Sequence, residues 1–125
     1  MAAAVSVCVM EEWKLSKEEI KKDKNLQKIL KSVNRIKALT PHDRAHKYEE
    51  LIRYILAIMI DKKHDTLIQT TSLWSLLNIL QLDYEHNLQI MLRVGVPSVL
   101  HEILKYETQA DHTKAYASQL ISALW

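Results

Sequence analysis

A chain of 125 residues with a single glycine, Gly95, and only two prolines, Pro41 and Pro97, has few ways to turn sharply. Hairpins need residues that accept positive φ or preset a turn, so an all-β fold would require such clusters about every ten residues. Leucine, isoleucine, lysine, glutamate, glutamine and alanine dominate instead, and these are good or acceptable helix formers. Apolar residues make up 48% and charged residues 26%, a globular composition rather than a disordered one. The expected fold class is all-α, in one domain.

The elements follow from capping signals and spacing. Residues 1–15 are expected to be flexible. Ser16 with Glu19 has the form of a capping box, opening a basic amphipathic helix over 16–39 with Ile20, Leu26, Ile29, Leu30, Val33 and Ile36 on its apolar stripe. Thr40-Pro41 is a second start signal, and Tyr48, Leu51, Ile52, Ile55, Leu56, Met59 and Ile60 mark the buried side of the helix it begins. "DKKHD" interrupts the pattern. A third helix is expected over 66–82 with Leu73, Leu76, Leu77 and Leu80 inward. A short fourth covers Glu85–Val94 and stops at Gly95, a fifth starts at Pro97, and a sixth covers Thr113–Trp125.

Two segments overlay. Leu51–Leu56 falls on Val99–Leu104 at an offset of 48, and "HDTLIQTTSLWSLLNI" falls on "ADHTKAYASQLISALW" at 46. Helical periods of about 40–47 residues belong to armadillo and HEAT arrays. The run Leu76-Leu77-Asn78-Ile79-Leu80, a loop, the short helix Asn87–Val94, Gly95, then "VPSVLHEIL" and a helix carrying Ala117, Leu120 and Leu124 resembles an armadillo-repeat segment. The resemblance implies a short right-handed α-solenoid, an armadillo-like superhelix. About two units would lie in 40–125, the last lacking a C-terminal cap, with 16–39 as an extra N-terminal cap helix. Gly95, Pro97, Leu100, Leu104, Ala117 and Leu120 become repeat positions. Gly95 would serve a tight helix junction that forbids a side chain. The match is good over 66–125 and poor over 41–65, and a HEAT-like solenoid or an unrelated helical bundle fits the same periodicity.

Chemistry is sparse. His42 and His46 sit four apart, like half of a zinc-hydrolase motif, but Asp43 stands where a glutamate base would be needed and no third ligand is evident. A solvated first helical turn is the plainer reading. Cys8 lies in an apolar stretch with nothing to activate its thiol. A sole cysteine fits a reducing compartment, and with no signal peptide or spanning segment the expected location is cytoplasmic or nuclear. No catalysis, metal or cofactor is expected.

Net charge is +2 overall, yet Lys14–Lys37 holds nine basic residues against three acids. That helix could dock on an anionic membrane or nucleic acid. Its interleaved acids favour a solvated outer face, so neither partner is expected.

The pair Trp74 and Asn78, with Gln81 beside it, resembles the peptide groove of importin-α-type armadillo proteins. In that family a tryptophan face holds basic side-chain stems while an asparagine amide clamps peptide backbone. The competing role has Trp74 packing between repeats and Asn78 tying down the next loop. The resemblance implies a non-catalytic adaptor or scaffold. At the offset of 46, Leu120 and Leu124 replace the pair, so a second rung is missing. Finally, Val99, Ile103, Leu104, Leu120 and Leu124 offer more apolar surface than one neighbouring repeat should cover. Self-association through the C-terminal helices, or a continuing array, is therefore expected.

Overall fold

The computed structural model describes residues 21–105 and 111–124, all helical or in the turns between helices. The expectations for Cys8, for the Ser16–Glu19 box and for Trp125 lie outside the described residues. Seven helices follow in order: α1 (Lys24–Ala38), α2 (Pro41–Ala45), α3 (Tyr48–Asp61), α4 (Thr66–Leu82), α5 (Tyr84–Val94), α6 (Val96–Leu104) and α7 (Asp111–Leu124).

The basic stretch is interrupted at Asp23. Asp23 has extended backbone, φ −130° and ψ 114°, and its carboxylate accepts from the Asn25 N–H at 2.8 Å. An aspartate so placed satisfies one of the orphan donors of a new helix start. From there the stripe behaves as its spacing predicts: Leu26, Ile29, Val33 and Ile36 are buried, and Lys24, Lys28, Lys31 and Arg35 face water.

Thr40 caps α2 through its hydroxyl, which accepts from the Asp43 N–H at 3.2 Å, and Pro41 follows as a first-turn residue. The helix lasts one turn. His46 and Lys47 interrupt it and α3 begins at Tyr48, so the single helix expected from Pro41 to Ile60 is two. This junction stays at negative φ, with His46 at φ −86° and ψ −8°, and needs no glycine. Ile60 departs from its expected burial. It is 61% exposed, while its neighbours Ile55, Leu56, Ile58 and Met59 are inside.

Helix α4 is the centre of the molecule. It packs against α1, α3, α5 and α7. A helix surrounded in this way must be buried on every side, and Gln69, Thr70, Thr71, Ser72, Ser75 and Asn78 are buried along with the expected leucines. Gln69, Thr70, Ser75 and Asn78 find partners locally or across the packing, whereas the Thr71 and Ser72 hydroxyls have none among the described residues. Ser75 Oγ donates to the Thr71 carbonyl at 2.8 Å, and the Thr70 and Thr113 hydroxyls meet between α4 and α7. Gln69 Nε2 donates to the carbonyls of Met59 at 2.9 Å and Lys62 at 2.8 Å. It thereby closes the end of α3, where helix carbonyls lack intrahelical partners.

The sole glycine ends α5 in the left-handed region, φ 91° and ψ 27°, and its N–H bonds back to the Met91 carbonyl. A Cβ built there meets no atom within 4 Å. Gly95 is therefore required by its dihedral, not by the close approach that the sequence suggested.

The buried positions recur between helices. Leu26, Ile29, Val33 and Ile36 of α1 have counterparts at the same spacing in Thr70, Leu73, Leu77 and Leu80 of α4, and again in Thr113, Tyr116, Leu120 and Ala123 of α7; all are buried. Thr70 and Thr113, 43 residues apart, touch directly.

Candidate functional site

Lys37, near the end of α1, reaches over α4. Its Nζ donates to Asn78 Oδ1 at 2.7 Å and lies 5.7 Å from the centroid of the Trp74 ring. Trp74 and Asn78 are one helical turn apart, so both present the same flank of α4 to α1. The ring offers its negative face and the amide oxygen a hydrogen-bond acceptor. Together they suit an ammonium that has lost part of its water. Burial of that group lowers the Lys37 pKa from its ordinary value.

The amide of Asn78 is committed on both sides. Its Nδ2 donates to the Trp74 carbonyl at 2.9 Å, one turn back along the same helix, while Oδ1 accepts from Lys37. Asn78 is 6% exposed. A clamp with donor and acceptor both turned toward a partner backbone is not what the structure has. What Asn78 Oδ1 holds is the chain's own basic side chain, Lys37. Trp74 and Gln81 are each half-buried on the same flank.

The loop-tying role weighed for Asn78 belongs instead to Asn87. That side chain is fully buried and its Nδ2 donates to the Ile79 carbonyl at 2.6 Å. Among the repeat positions, Leu100, Ala117 and Leu120 are fully buried, and Pro97 occupies the first turn of α6. Leu104 is not a core residue; it is 36% exposed. Of the C-terminal apolar set, Ile103, Leu120 and Leu124 are buried within the chain and Val99 is half-buried. The face on which self-association was expected to rest is mostly covered.

The His42 and His46 rings meet edge-on with centroids 5.2 Å apart. Among the described residues no group of three or more histidines, cysteines and carboxylates is placed to hold a metal ion. Glu49 gathers two arginines. It accepts from Arg53 Nε at 3.1 Å within α3 and from Arg93 Nη2 of α5, and these bonds hold its carboxyl below the usual range. Among the described residues no helix is long and apolar enough to cross a membrane.

Sequence reasoning singled out Trp74 and Asn78 but not Lys37, which meets them in the structure. The contact joins residues 41 apart, and nothing in local periodicity marks one lysine among many as the one that turns inward. No protein-family model, no curated protein and no solved structure matches the chain. The site is therefore argued from its own geometry.

Proposed function

We propose that this chain is a non-catalytic protein–protein interaction module, an adaptor or scaffold with an armadillo-like arrangement of helices. It takes a basic side chain of a partner segment on the flank of α4 at Trp74, Asn78 and Gln81. The observation that carries the reading is Lys37: its ammonium bonds to Asn78 Oδ1 at 2.7 Å beside the Trp74 ring, so the chain holds a basic group of its own at this flank. A partner lysine would make the same charge-assisted hydrogen bond and the same contact with the ring. The recurring burial of α1, α4 and α7 supports the repeat arrangement, as does the left-handed glycine between α5 and α6.

A direct test is fluorescence anisotropy of a short labelled lysine–alanine peptide with the full chain. Trp74→Ala and Asn78→Leu should each weaken binding while circular dichroism stays helical. Unchanged affinity in both folded variants removes the flank as a site.

A second reading follows from the outer face of α1, where Lys24, Lys28 and Lys31 are exposed, and from the exposed Lys21 and Lys22 just before it. It has this face recruit the domain to anionic lipid or nucleic acid. Phosphate binding falls steeply with salt, and Asn78→Leu would leave it unaltered. Those two properties separate it from the first reading.

A further inference from the structure

On the other side of α1, a cleft of about 540 Å³ opens between α1 and α3. Its apolar lining is Ile36, Leu39, Leu51 and Tyr54, drawn from the end of α1, the turn after it and the first half of α3. Arg35 and Lys47 line it as well, one from each side of the turn. Among the described residues neither side chain makes an ion pair or hydrogen bond, and the Tyr54 hydroxyl has no partner either. Glu50 is the single acid of the lining, and it too is left without an ion pair. Cations that pair elsewhere on the surface, as Arg53 and Arg93 do with Glu49, are here left open beside apolar carbons.

We propose that this cleft is a second binding surface, fitted to a partner peptide that carries a carboxylate next to apolar side chains. An apolar side chain of the peptide enters against Ile36, Leu39 and Leu51 and covers the Tyr54 ring. Its neighbouring carboxylate meets the planar fork of Arg35, which suits carboxylates in bidentate fashion, with Lys47 as a second point charge. The Tyr54 phenol is held above its ordinary pKa by burial, so it stays a neutral donor to the same carboxylate at neutral pH. The volume lies within the range of sites that enclose ligand groups, and a concave cleft admits protruding side chains better than a flat lipid surface. Arg35 and Lys47 outnumber Glu50 in the lining, so a basic peptide would meet a net positive charge, and this surface and the Trp74–Asn78 flank select opposite charges. The proposal does not rest on the reading given for that flank.

The test uses the full chain and two short fluorescein-labelled peptides, one of leucine and glutamate, the other of leucine and glutamine. The glutamate peptide should bind and the glutamine peptide should bind much more weakly. Arg35→Glu and Lys47→Glu should each weaken the glutamate peptide about tenfold, and Arg35→Lys should lose less than Arg35→Glu. Circular dichroism of each variant should remain that of the parent. Equal affinity for the two peptides, unchanged affinity in both charge reversals, or no binding at about 1 mM peptide overturns the proposal. So does concentration-dependent association of the chain with itself that Arg35→Glu abolishes, since the occupant would then be a second copy. Binding to phosphatidylserine vesicles that the same variants abolish, without peptide binding, overturns it in favour of a membrane.

Discussion

The side-chain amide of Asn87 donates to the Ile79 carbonyl across 2.6 Å and fastens the first turn of α5 to the last turn of α4. Ile79 O is one of the carbonyls that a helix end leaves without an intrahelical partner, and both groups are away from water. The turn at Asp83 is thus held by a side chain that lies beyond it, and the direction in which α5 leaves α4 is fixed.

Replacing Asn87 with alanine leaves that carbonyl buried and unpaired. Asn87→Ala should lower stability by about 1–3 kcal/mol in urea denaturation, with little change in the denaturant slope. A loss below about 0.5 kcal/mol would mean that the turn holds without the bond.

Gly95 separates dihedral strain from steric clash. Since a Cβ there meets nothing within 4 Å, Gly95→Ala should cost about 1–2 kcal/mol from its positive φ alone. Gly95→Asn should cost less, because asparagine tolerates the left-handed region. A thermal melt in which alanine and glycine are indistinguishable would contradict the assignment of φ 91°.

Gln69 closes α3 with two hydrogen bonds from one nitrogen. Gln69→Leu keeps the volume and removes both, and should destabilise by about 1–3 kcal/mol. Gln69→Glu should be worse at neutral pH, since a carboxylate cannot donate and would be buried beside carbonyl oxygens. Equal stability of the two variants would show that the cap is not the reason for this glutamine.

Glu49 gives a pH prediction. Hydrogen bonds from Arg53 and Arg93 lower its pKa in the folded chain, so the unfolded state binds its proton first as pH falls. The contribution is present above the ordinary carboxyl range and is lost as pH drops through the lowered folded value. The stability difference between the parent chain and Glu49→Gln should therefore shrink on acidification from about pH 6 to about pH 3. A difference that stays constant or grows over that range would show that the carboxylate is not held by the two arginines.

Much of the fold can be read from sequence, and the reasons for the remainder are physical. The α1 stripe, the Thr40-Pro41 start and the bounds of α4 follow from local spacing and caps. One local signal was passed over: Asp23 is the residue that caps the described helix. The all-round burial of α4 had a usable sign. Thr66–Leu82 holds no charged residue at all, although only its leucines were assigned inward. Gln69 on α3 and Lys37 on Asn78 are different. Each is a long side chain crossing between helices, and which chain crosses is decided by packing geometry that periodicity does not encode. The apolar C-terminal set was judged by composition alone, whereas burial there depends on how α6 and α7 pack against α3, α4 and α5.

The proposed role of the Trp74–Asn78 flank turns on its present occupant. If this flank takes basic side chains, Lys37 competes with any partner for Asn78 Oδ1, and removing it raises the fraction of chains ready to bind. The measurement is the affinity of the lysine–alanine peptide for the full chain and for Lys37→Ala, by titration calorimetry at one fixed salt concentration. The account predicts that Lys37→Ala binds at least about threefold more tightly, and that adding Asn78→Leu abolishes the gain. Weaker binding by Lys37→Ala, or a gain that survives Asn78→Leu, would contradict it.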